Sequence, residues 1–422
     1  MGKLFIHFDF EVKYEYKASA CIFVFEKEGE KWRYLLSSKQ EAELWREALR
    51  PRLNQRGFHE QFKAKKRIGK GNFASVYLVE KVEDGRSYAV KAFSKEAAYE
   101  EDKGKECLIK ELDVMRALNH RNCMRLFEVF ESDNSLYFVV ELLEGGQLYD
   151  KVKAKYKFKQ PEVKAVMRSI LSGLREMHGK RVMHRDLKPE NIIFKQEGSF
   201  ECSIADFGLA EFCNAPEYLF VRCGTPGYVA PEVINIKDLK TKYDPICDVF
   251  SLGLIFHILL LGVSAFPGKN YNEVLAQNRA SNIPLEGEAY RKLDPAALNL
   301  LAKMLKKSPN DRITAAEALQ HPYLAGDMEA EEAEADVVPA SHQTPQKKSS
   351  YPSCDSPLLT SANPERKGLT KKDSCVDFKM GKENVFTGKV DTVAETGSTN
   401  TSVNKRFESV VMPKVSKFCA KK

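Results

Sequence analysis

The apolar segment from Val249 to Pro267 sets the strongest limit on how this chain can fold. It contains no Asp, Glu, Lys or Arg, so a helix formed there is apolar on every side and needs burial all round, either in a bilayer or in a large domain. It also contains His257 and two helix-weakening glycines, Gly253 and Gly262. The polar motifs on either side of it favour the central helix of a large soluble domain, so we predict no membrane span.

The composition is that of a chain with a sizeable core, since 43% of its 422 residues are hydrophobic and 30% are charged. The formal net charge of +7 is small for this length, which excludes a protein that coats a polyanion, and we expect no nucleic-acid partner. The ten cysteines include no Cys-x-x-Cys pair. Charged residues such as Lys3, Asp9 and Glu11 interrupt the region where a signal peptide would be apolar. We therefore predict reduced thiols and a cytoplasmic location.

Composition divides the chain into an N-terminal segment, a short linker, a large central domain and a tail. The tail is rich in Ser and Thr and poor in long apolar residues, so it buries too little surface to offset the entropy of ordering, and we predict that it is disordered. The predicted boundaries are 1–54, 55–61, 62–324 and 325–422.

Three short strands and a helix are predicted in the N-terminal segment. The strands are rich in aromatic and β-branched residues and cover 13–16, 20–25 and 32–36. Ser38 and Glu41 form a capping-box pattern, which predicts the start of a helix that runs to Leu49.

A glycine pair and a lysine in an apolar strand open the central domain. Gly69 and Gly71, in IGKGNFASVYLV, allow the backbone to fold closely over a phosphate, although a glycine pair in a hairpin is more often only a turn. Lys91 lies in YAVKAF, where a buried ammonium group needs an anionic partner. The candidate partner is Glu111, on an amphipathic segment with helical spacing.

The segment HRDLKPEN, from His184 to Asn191, is the most specific motif in the chain. Asp186 supplies a carboxylate suited to accept the proton of an attacking hydroxyl, and Asn191 can reach a metal ion from the same loop. Asp206 then opens an Asp-Phe-Gly motif and is a hard oxygen ligand suited to Mg²⁺. GTPGYVAPE follows at 224–232. Six short motifs in this order, with these gaps, indicate one catalytic unit.

This motif set resembles the eukaryotic protein kinases over residues 62–324. The resemblance implies an α+β, two-lobed protein kinase fold, with a small antiparallel β lobe that has one helix and a large, mainly α lobe. It implies transfer of the γ-phosphoryl group of ATP, with Mg²⁺, to Ser or Thr of protein substrates. Lys188 and Thr225 are the Ser/Thr-kinase forms of two motifs, and the large lobe is most similar to the calcium/calmodulin-dependent group.

The resemblance also assigns roles to individual residues. The expected catalytic residues are Asp186, Lys188, Asn191 and Thr225, and the expected metal ligands are Asn191 and Asp206. The expected ATP-binding residues are Ile68, Gly69, Gly71, Val76, Ala89, Lys91, Glu111, Val140, Glu141 and Leu143. Structural roles are expected for Asp248 beneath the catalytic loop, for a Glu232–Arg312 ion pair, and for a hydrophobic stack of Leu126, Met115, His184 and Phe207.

Two departures from the family pattern bear on regulation and specificity. No Ser or Thr lies between Phe207 and Gly224, and the position that is usually phosphorylated aligns with Val221. We therefore expect activity without phosphorylation of the activation segment. Gln147 stands where relatives that select basic substrates have Glu, so we expect weak selection for an arginine three residues upstream of the acceptor.

The flanking regions leave further alternatives open. Residues 1–54 resemble the C-terminal half of a pleckstrin-homology domain, but the strands that usually carry the phosphoinositide loop are missing from the match. Peripheral membrane or phosphoinositide contact is therefore disfavoured. Calmodulin is also disfavoured, because the sequence after the domain is acidic at 327–336, where relatives have a basic amphipathic helix.

The alternative to an enzyme is a pseudokinase or scaffold that recruits partners through the N-terminal segment and the tail. The complete set of charged motif residues argues against it. That set is Lys91, Glu111, Asp186, Asn191 and Asp206.

Overall fold

The computed structural model describes residues 11–17, 20–27, 30–36, 38, 40–41, 44, 53–70 and 74–325. They form a sheet-rich small lobe and a mainly helical large lobe. The predicted disordered tail, and with it the acidic segment that disfavours calmodulin, lies outside the described residues.

Within the ranges just given, nine strands form one sheet in the small lobe. They are β1 (Glu11–Lys17), β2 (Ala20–Lys27), β3 (Glu30–Leu36), β4 (Asn54–Gln55), β5 (Phe62–Lys70), β6 (Ala74–Lys81), β7 (Ser87–Ser94), β8 (Leu126–Glu131) and β9 (Ser135–Val140). Their order is β3-β2-β1-β4-β8-β9-β7-β6-β5. The pairs are antiparallel except at β4, which runs parallel to both β1 and β8.

The N-terminal strands lie where the sequence pattern predicts them, with each strand a few residues longer than expected because the ladder continues past the apolar core of the pattern. Ser38 Oγ accepts a hydrogen bond from the Glu41 amide at 3.1 Å, as the capping pattern predicts. The sequence left open that this segment packs on the central domain, and in the structure its strands join that domain's sheet through β4. Their assignment to a pleckstrin-homology fold stays a prediction.

Among the described residues from 53 to 117, three helices lie in the small lobe, where the sequence predicted one: α1 (Phe58–Gln61), α2 (Lys95–Tyr99) and α3 (Gly104–Ala117). The two additional helices are single short turns, and α2 begins where Ser94 Oγ accepts from the Ala97 amide. Residues 55–61, predicted as a linker, contain Gln55 of β4 and all of α1. Phe58 of α1 packs into a core cluster with Phe62 and Phe130.

The large lobe is mainly helical. Its helices are α4 (Leu148–Lys153), α5 (Gln160–Gly179), α6 (Pro231–Ile234), α7 (Ile246–Leu261), α8 (Tyr271–Ala280), α9 (Glu288–Arg291), α10 (Pro295–Met304), α11 (Ala315–Leu319) and α12 (Pro322–Ala325). Short strands form two hairpin-like pairs, β10 (Val182–Met183) with β13 (Glu211–Phe212), and β11 (Ile192–Phe194) with β12 (Cys202–Ile204).

Helix α7 contains most of the apolar segment from Val249 to Pro267. It is buried continuously from Cys247 to Leu259 and contacts α5 and α10. Gly253 allows the close approach to α10, since a Cβ there would lie 2.8 Å from the Leu305 side chain. The helix ends at Gly262, whose φ of 72° is strained for other residues. Within the described ranges, no helix combines the length and the apolar character that a membrane span needs.

Six cysteines of the described residues are free and buried: Cys107, Cys123, Cys202, Cys213, Cys223 and Cys247. Burial raises the pKa of Cys107, Cys123 and Cys202 to about 12. Because the thiolate is the nucleophilic form, these cysteines are inert near neutral pH. Their role is packing.

Candidate active site

A cleft of about 240 Å³ lies between the inner face of the sheet, α3 and the first loops of the large lobe. It brings together both expected metal ligands and nine of the ten expected ATP-binding residues. The nine are Ile68, Gly69, Val76, Ala89, Lys91, Glu111, Val140, Glu141 and Leu143. The tenth, Gly71, lies outside the described residues.

Strand register explains why these separated residues share one face. Val76 pairs with Lys91 across β6 and β7, and Ala89 pairs with Val140 across β7 and β9. Directly paired residues point to the same side of a sheet, so the four side chains line one wall. Gly69 closes over this wall, and a Cβ there would lie 3.3 Å from Val76 Cβ. The backbone can therefore approach closely only because it is glycine.

The edge of the cleft is formed by residues 141–144, which belong to neither helix nor strand and connect the lobes after β9. Four apolar residues that the sequence analysis did not single out also line the cleft: Met124, Leu142, Ile193 and Ala205. They belong to no charged motif.

Lys91 lies between two carboxylates. Its Nζ is 2.6 Å from Glu111 Oε1 and 3.3 Å from Asp206 Oδ1. The Glu111 side chain is only 2% exposed, and burial raises its pKa while the Lys91 ammonium opposes that shift. Asp206 has a φ of 61°, a strained region for a residue other than glycine. The lysine is therefore held by α3 from one side and by the Asp-Phe-Gly motif from the other.

Asp186, Lys188 and Thr225 form a closed triangle of polar contacts. Thr225 Oγ1 donates to Asp186 Oδ1 at 2.6 Å, while Lys188 Nζ lies 2.9 Å from both Asp186 Oδ2 and Thr225 Oγ1. Burial disfavours the charge on Lys188, but the Asp186 and Glu190 carboxylates outweigh it and raise the pKa of Lys188 above its usual value. The Lys188 side chain therefore stays a cation.

Asn191 combines a satisfied amide with an unsatisfied oxygen. Its Nδ2 donates to the Asp186 carbonyl at 2.8 Å, whereas the buried Oδ1 has no hydrogen-bond partner in the structure. An unpaired buried acceptor is costly unless a cation or donor occupies the space beside it. Asn191 and Asp206 both line the cleft and both offer hard oxygen ligands, so the residues fit Mg²⁺. The described part of the chain has no cluster of three or more His, Cys, Asp or Glu side chains for a metal. A cation here would therefore draw its other ligands from phosphate and water.

Asp248 of α7 fixes the backbone of the catalytic loop, the segment from His184 to Asn191. Its two carboxylate oxygens accept hydrogen bonds from the backbone amides of His184 and Arg185, each at 2.8 Å. Burial favours the neutral acid, but these bonds and a contact with His178 hold the pKa of Asp248 below its usual value. They also offset the strain at Arg185, whose φ is 68°. Asp248 is thus the buried anchor that the resemblance implies.

The expected hydrophobic stack is buried at the junction of the lobes. Leu126, Met115 and Phe207 belong to the main core cluster and are at most 5% exposed. The ring of His184 meets that of Phe207 edge-on, with centroids 5.6 Å apart. These contacts connect α3 and the sheet to the catalytic loop.

Glu211 of β13 is a site residue that the sequence analysis missed. Its side chain is fully buried, 2.6 Å from Lys110 Nζ on α3 and 3.8 Å from the Arg185 guanidinium. It also accepts from the Leu219 amide at 3.3 Å. One carboxylate therefore connects α3, the catalytic loop and the activation segment. A lone acidic residue among apolar neighbours, close after Asp206, was the available signal.

A larger cavity of about 430 Å³ lies on the opposite face of the sheet. Its lining includes Tyr77, Val90 and Tyr137, which alternate along the strands with the residues of the cleft. It contains none of the residues that the sequence analysis predicted for the site. Size alone therefore does not identify the functional cleft.

The two-lobed fold and the charged cleft between the lobes place this protein in the class of kinase-type phosphotransferases. Comparison with known proteins agrees: the pattern of the protein kinase domain family matches residues 62–324. The chain therefore belongs to the protein kinase family, in its serine/threonine class, and the predicted two-lobed fold is confirmed.

Three relatives illustrate the similarity. Calcium-dependent protein kinase 4 of Plasmodium falciparum is 35% identical over 63% of this chain and 50% of its own length. Myosin light chain kinase A of Dictyostelium discoideum is 36% identical over 62% of this chain and 88% of its own length. Calcium/calmodulin-dependent protein kinase type 1 of Caenorhabditis briggsae is 35% identical over 61% of this chain and 71% of its own length. The match thus spans only half of the Plasmodium kinase.

Proposed function

We propose that this chain transfers the γ-phosphoryl group of Mg-ATP to Ser or Thr hydroxyls of protein substrates. One observation carries the proposal: the Lys91–Glu111–Asp206 group lines the cleft, and Asn191, which lines it too, donates to Asp186 of the Asp186–Lys188–Thr225 triangle. Phosphoryl transfer depends mainly on positioning and on charge stabilisation, and this cleft concentrates groups for both.

The groups at the back of the cleft hold the nucleotide. Lys91 binds the α- and β-phosphates while Glu111 fixes its ammonium group, and the apolar wall of Val76 and Ala89 encloses the adenine. Asn191 and Asp206 would hold Mg²⁺, which would supply positive charge beside the phosphates.

The groups at the front act on the substrate hydroxyl. Asp186 orients the hydroxyl and accepts its proton, because a carboxylate that already accepts from Thr225 and Lys188 keeps free lone pairs for a further donor. Lys188 supplies positive charge where the transition state spreads negative charge over the transferring group. Thr225 contacts both Asp186 and Lys188 and fixes their relative position.

A transfer assay tests the proposal. The full-length chain is incubated with γ-labelled ATP, Mg²⁺ and a generic protein substrate, and labelled amino acids are identified after hydrolysis. We expect phosphoserine and phosphothreonine from the wild type and almost no label from the Asp186→Asn variant. Equal signals from the two would favour the pseudokinase or scaffold alternative.

Activity is proposed to be independent of activation-segment phosphorylation. The support is that the Arg185 guanidinium is occupied by internal groups: it donates to the carbonyls of Leu209 and Phe220 and to the Tyr243 hydroxyl, and it faces Glu211. A carboxylate already lies where an added phosphate would otherwise pair with this arginine. Phosphatase treatment is therefore expected to leave activity unchanged.

Glu211→Gln is expected to lower kcat about tenfold to a hundredfold. The variant keeps the shape of the side chain but leaves Lys110 and the buried Arg185 without their anion, so α3 and the activation segment lose a shared anchor. Steady-state kinetics of phosphatase-treated protein provide the measurement. Glu217→Gln, on the same segment, is the control and should match the wild type. A Glu211→Gln enzyme with unchanged kcat would contradict this role.

Gln147 is proposed to weaken selection for a basic residue upstream of the acceptor. Gln147 lines the cleft and is the N-cap residue of α4, and its backbone nitrogen lies 3.2 Å from Asp150 Oδ2. We expect Gln147→Glu to raise the preference for arginine three residues upstream by about fivefold, the effect of roughly 1 kcal/mol for an exposed ion pair. A peptide library measures it. A dominant arginine preference in the wild type would contradict the prediction.

A further inference from the structure

Residues 53–56 join the N-terminal strands to the kinase domain and are built into its small lobe. Within them, β4 pairs in parallel with the outer edge of β8, with Asn54 opposite Val129. Leu53, Asn54 and Gln55 are 0%, 3% and 5% exposed. A tether that only crossed the surface would leave its polar side chains in water, so this burial needs specific partners.

Asn54 has those partners on two different elements. Its Nδ2 donates to Glu131 Oε2 at 2.6 Å, at the end of β8. Its Oδ1 accepts from the Arg116 guanidinium at 3.0 Å, in the last turn of α3. One buried amide therefore connects the edge of the sheet with the helix that carries Glu111.

Gln55 repeats the arrangement one residue further on. Its Nε2 donates to Glu128 Oε2 at 3.0 Å, and Glu128 also pairs with Lys81 at 2.6 Å. The Lys81 and Glu128 side chains are each 5% exposed. Because buried charges need full hydrogen bonding, the segment completes polar groups that belong to the kinase domain itself.

The position of Arg116 on α3 gives this contact a consequence for the cleft. Glu111 and Arg116 are five residues apart, which separates them by about 140° around a helix of 3.6 residues per turn. The two side chains thus hold the helix from different sides, Glu111 through Lys91 and Arg116 through Asn54. A rotation of α3 that withdraws Glu111 from Lys91 also strains the contact of Arg116 with Asn54.

We propose that Asn54 is a positioning residue for the kinase reaction, which acts through Arg116 to hold α3 in the rotation that pairs Glu111 with Lys91. Its effect on catalysis rests on the proposed function, whereas its effect on the helix does not. It follows that residues 53–56 are part of the catalytic unit.

The test compares full-length variants by two readouts, hydrogen–deuterium exchange of the α3 amides and steady-state kcat and KM for ATP. The variants are Asn54→Ala, Arg116→Ala and the double variant. The matched control is Arg56→Ala, which removes an exposed ion pair between the same segment and Asp133. We expect each single variant to speed α3 exchange about tenfold and to lower kcat/KM about tenfold. The double variant should lose no more than either single one, and the control should match the wild type.

The double variant Asn54→Asp with Glu131→Gln separates positioning from simple packing. The aspartate keeps an acceptor for Arg116, and the glutamine amide can donate to the aspartate in place of the carboxylate that would repel it, so α3 exchange and kcat/KM should stay within about twofold of the wild type. Additive losses in the Asn54→Ala, Arg116→Ala double variant, unchanged α3 exchange in Asn54→Ala, or equal exchange in Asn54→Ala and in Asn54→Asp with Glu131→Gln would overturn the inference. If the wild type transfers no phosphate, the proposed function fails, while helix exchange still decides the role of Asn54.

Discussion

Asp186→Asn is expected to lower kcat by about 10³-fold and to change KM for ATP by less than about threefold. General-base assistance contributes roughly 10²- to 10⁴-fold to a rate, and an amide cannot accept the proton of the attacking hydroxyl. The amide has the size of the carboxylate, and its Oδ1 can still accept from Thr225, which lies 2.6 Å away. The nucleotide groups are on other residues, so ATP binding should persist. Single-turnover kinetics with Mg-ATP measure the chemical step.

The same variant separates loss of chemistry from loss of the site. Lys188 lies 2.9 Å from Asp186 Oδ2 and loses its ion pair in the variant. Lys188→Met is therefore measured alongside. If proton acceptance by Asp186 is the main effect, Lys188→Met should lose less than Asp186→Asn. An unchanged kcat in Asp186→Asn would show that the carboxylate only holds the loop.

Arg312→Ala is expected to lower the free energy of unfolding by about 3–5 kcal/mol, the usual cost when one member of a buried ion pair is removed. The Arg312 side chain is fully buried and binds Glu232 through two parallel contacts, at 2.6 and 2.9 Å. It also donates to the carbonyls of Ile246 and Lys306. Alanine leaves all these acceptors without their donor. Urea unfolding followed by fluorescence measures the change.

An exposed ion pair provides the control for that experiment. Arg121 pairs with Glu201 at 2.9 Å, but its side chain is 71% exposed, so Arg121→Ala should cost less than about 1 kcal/mol. The double variant Arg312→Met with Glu232→Leu should be more stable than Arg312→Ala, because no unpaired carboxylate remains. Equal losses for Arg312→Ala and Arg121→Ala would contradict the prediction.

The charged residues at the centre of the site could be predicted because a buried charge needs a partner and because several of these residues are close together along the chain. A lysine in an apolar strand needs an anion, and the nearest helical carboxylate, Glu111, lies 2.6 Å from Lys91. Asp186 and Asn191 are five residues apart on one loop, so their proximity follows from spacing alone. The burial of the part of α7 after Asp248 followed in the same way from the absence of charged residues in the segment 249–267.

The missed features depend on long-range packing, which no short pattern encodes. Glu211 meets Lys110 only after the activation segment folds back on α3. Met124 and Leu142 line the cleft because of where the lobes meet. Strand β4 has two residues, too few to show any alternation, and its partner β8 lies far along the chain.

The parallel placement of β4 beside β8 has a consequence for how the protein is made. Asn54 cannot pair with β8 until Val129, 75 positions later, has been synthesised. At 5–20 residues per second, translation delays this pairing by about 4–15 s. During that interval the strands already outside the ribosome present an unpaired edge. The nascent chain is therefore most vulnerable to wrong association before β8 is synthesised. Slower translation up to that point would lengthen the time for which the strand edge is unpaired.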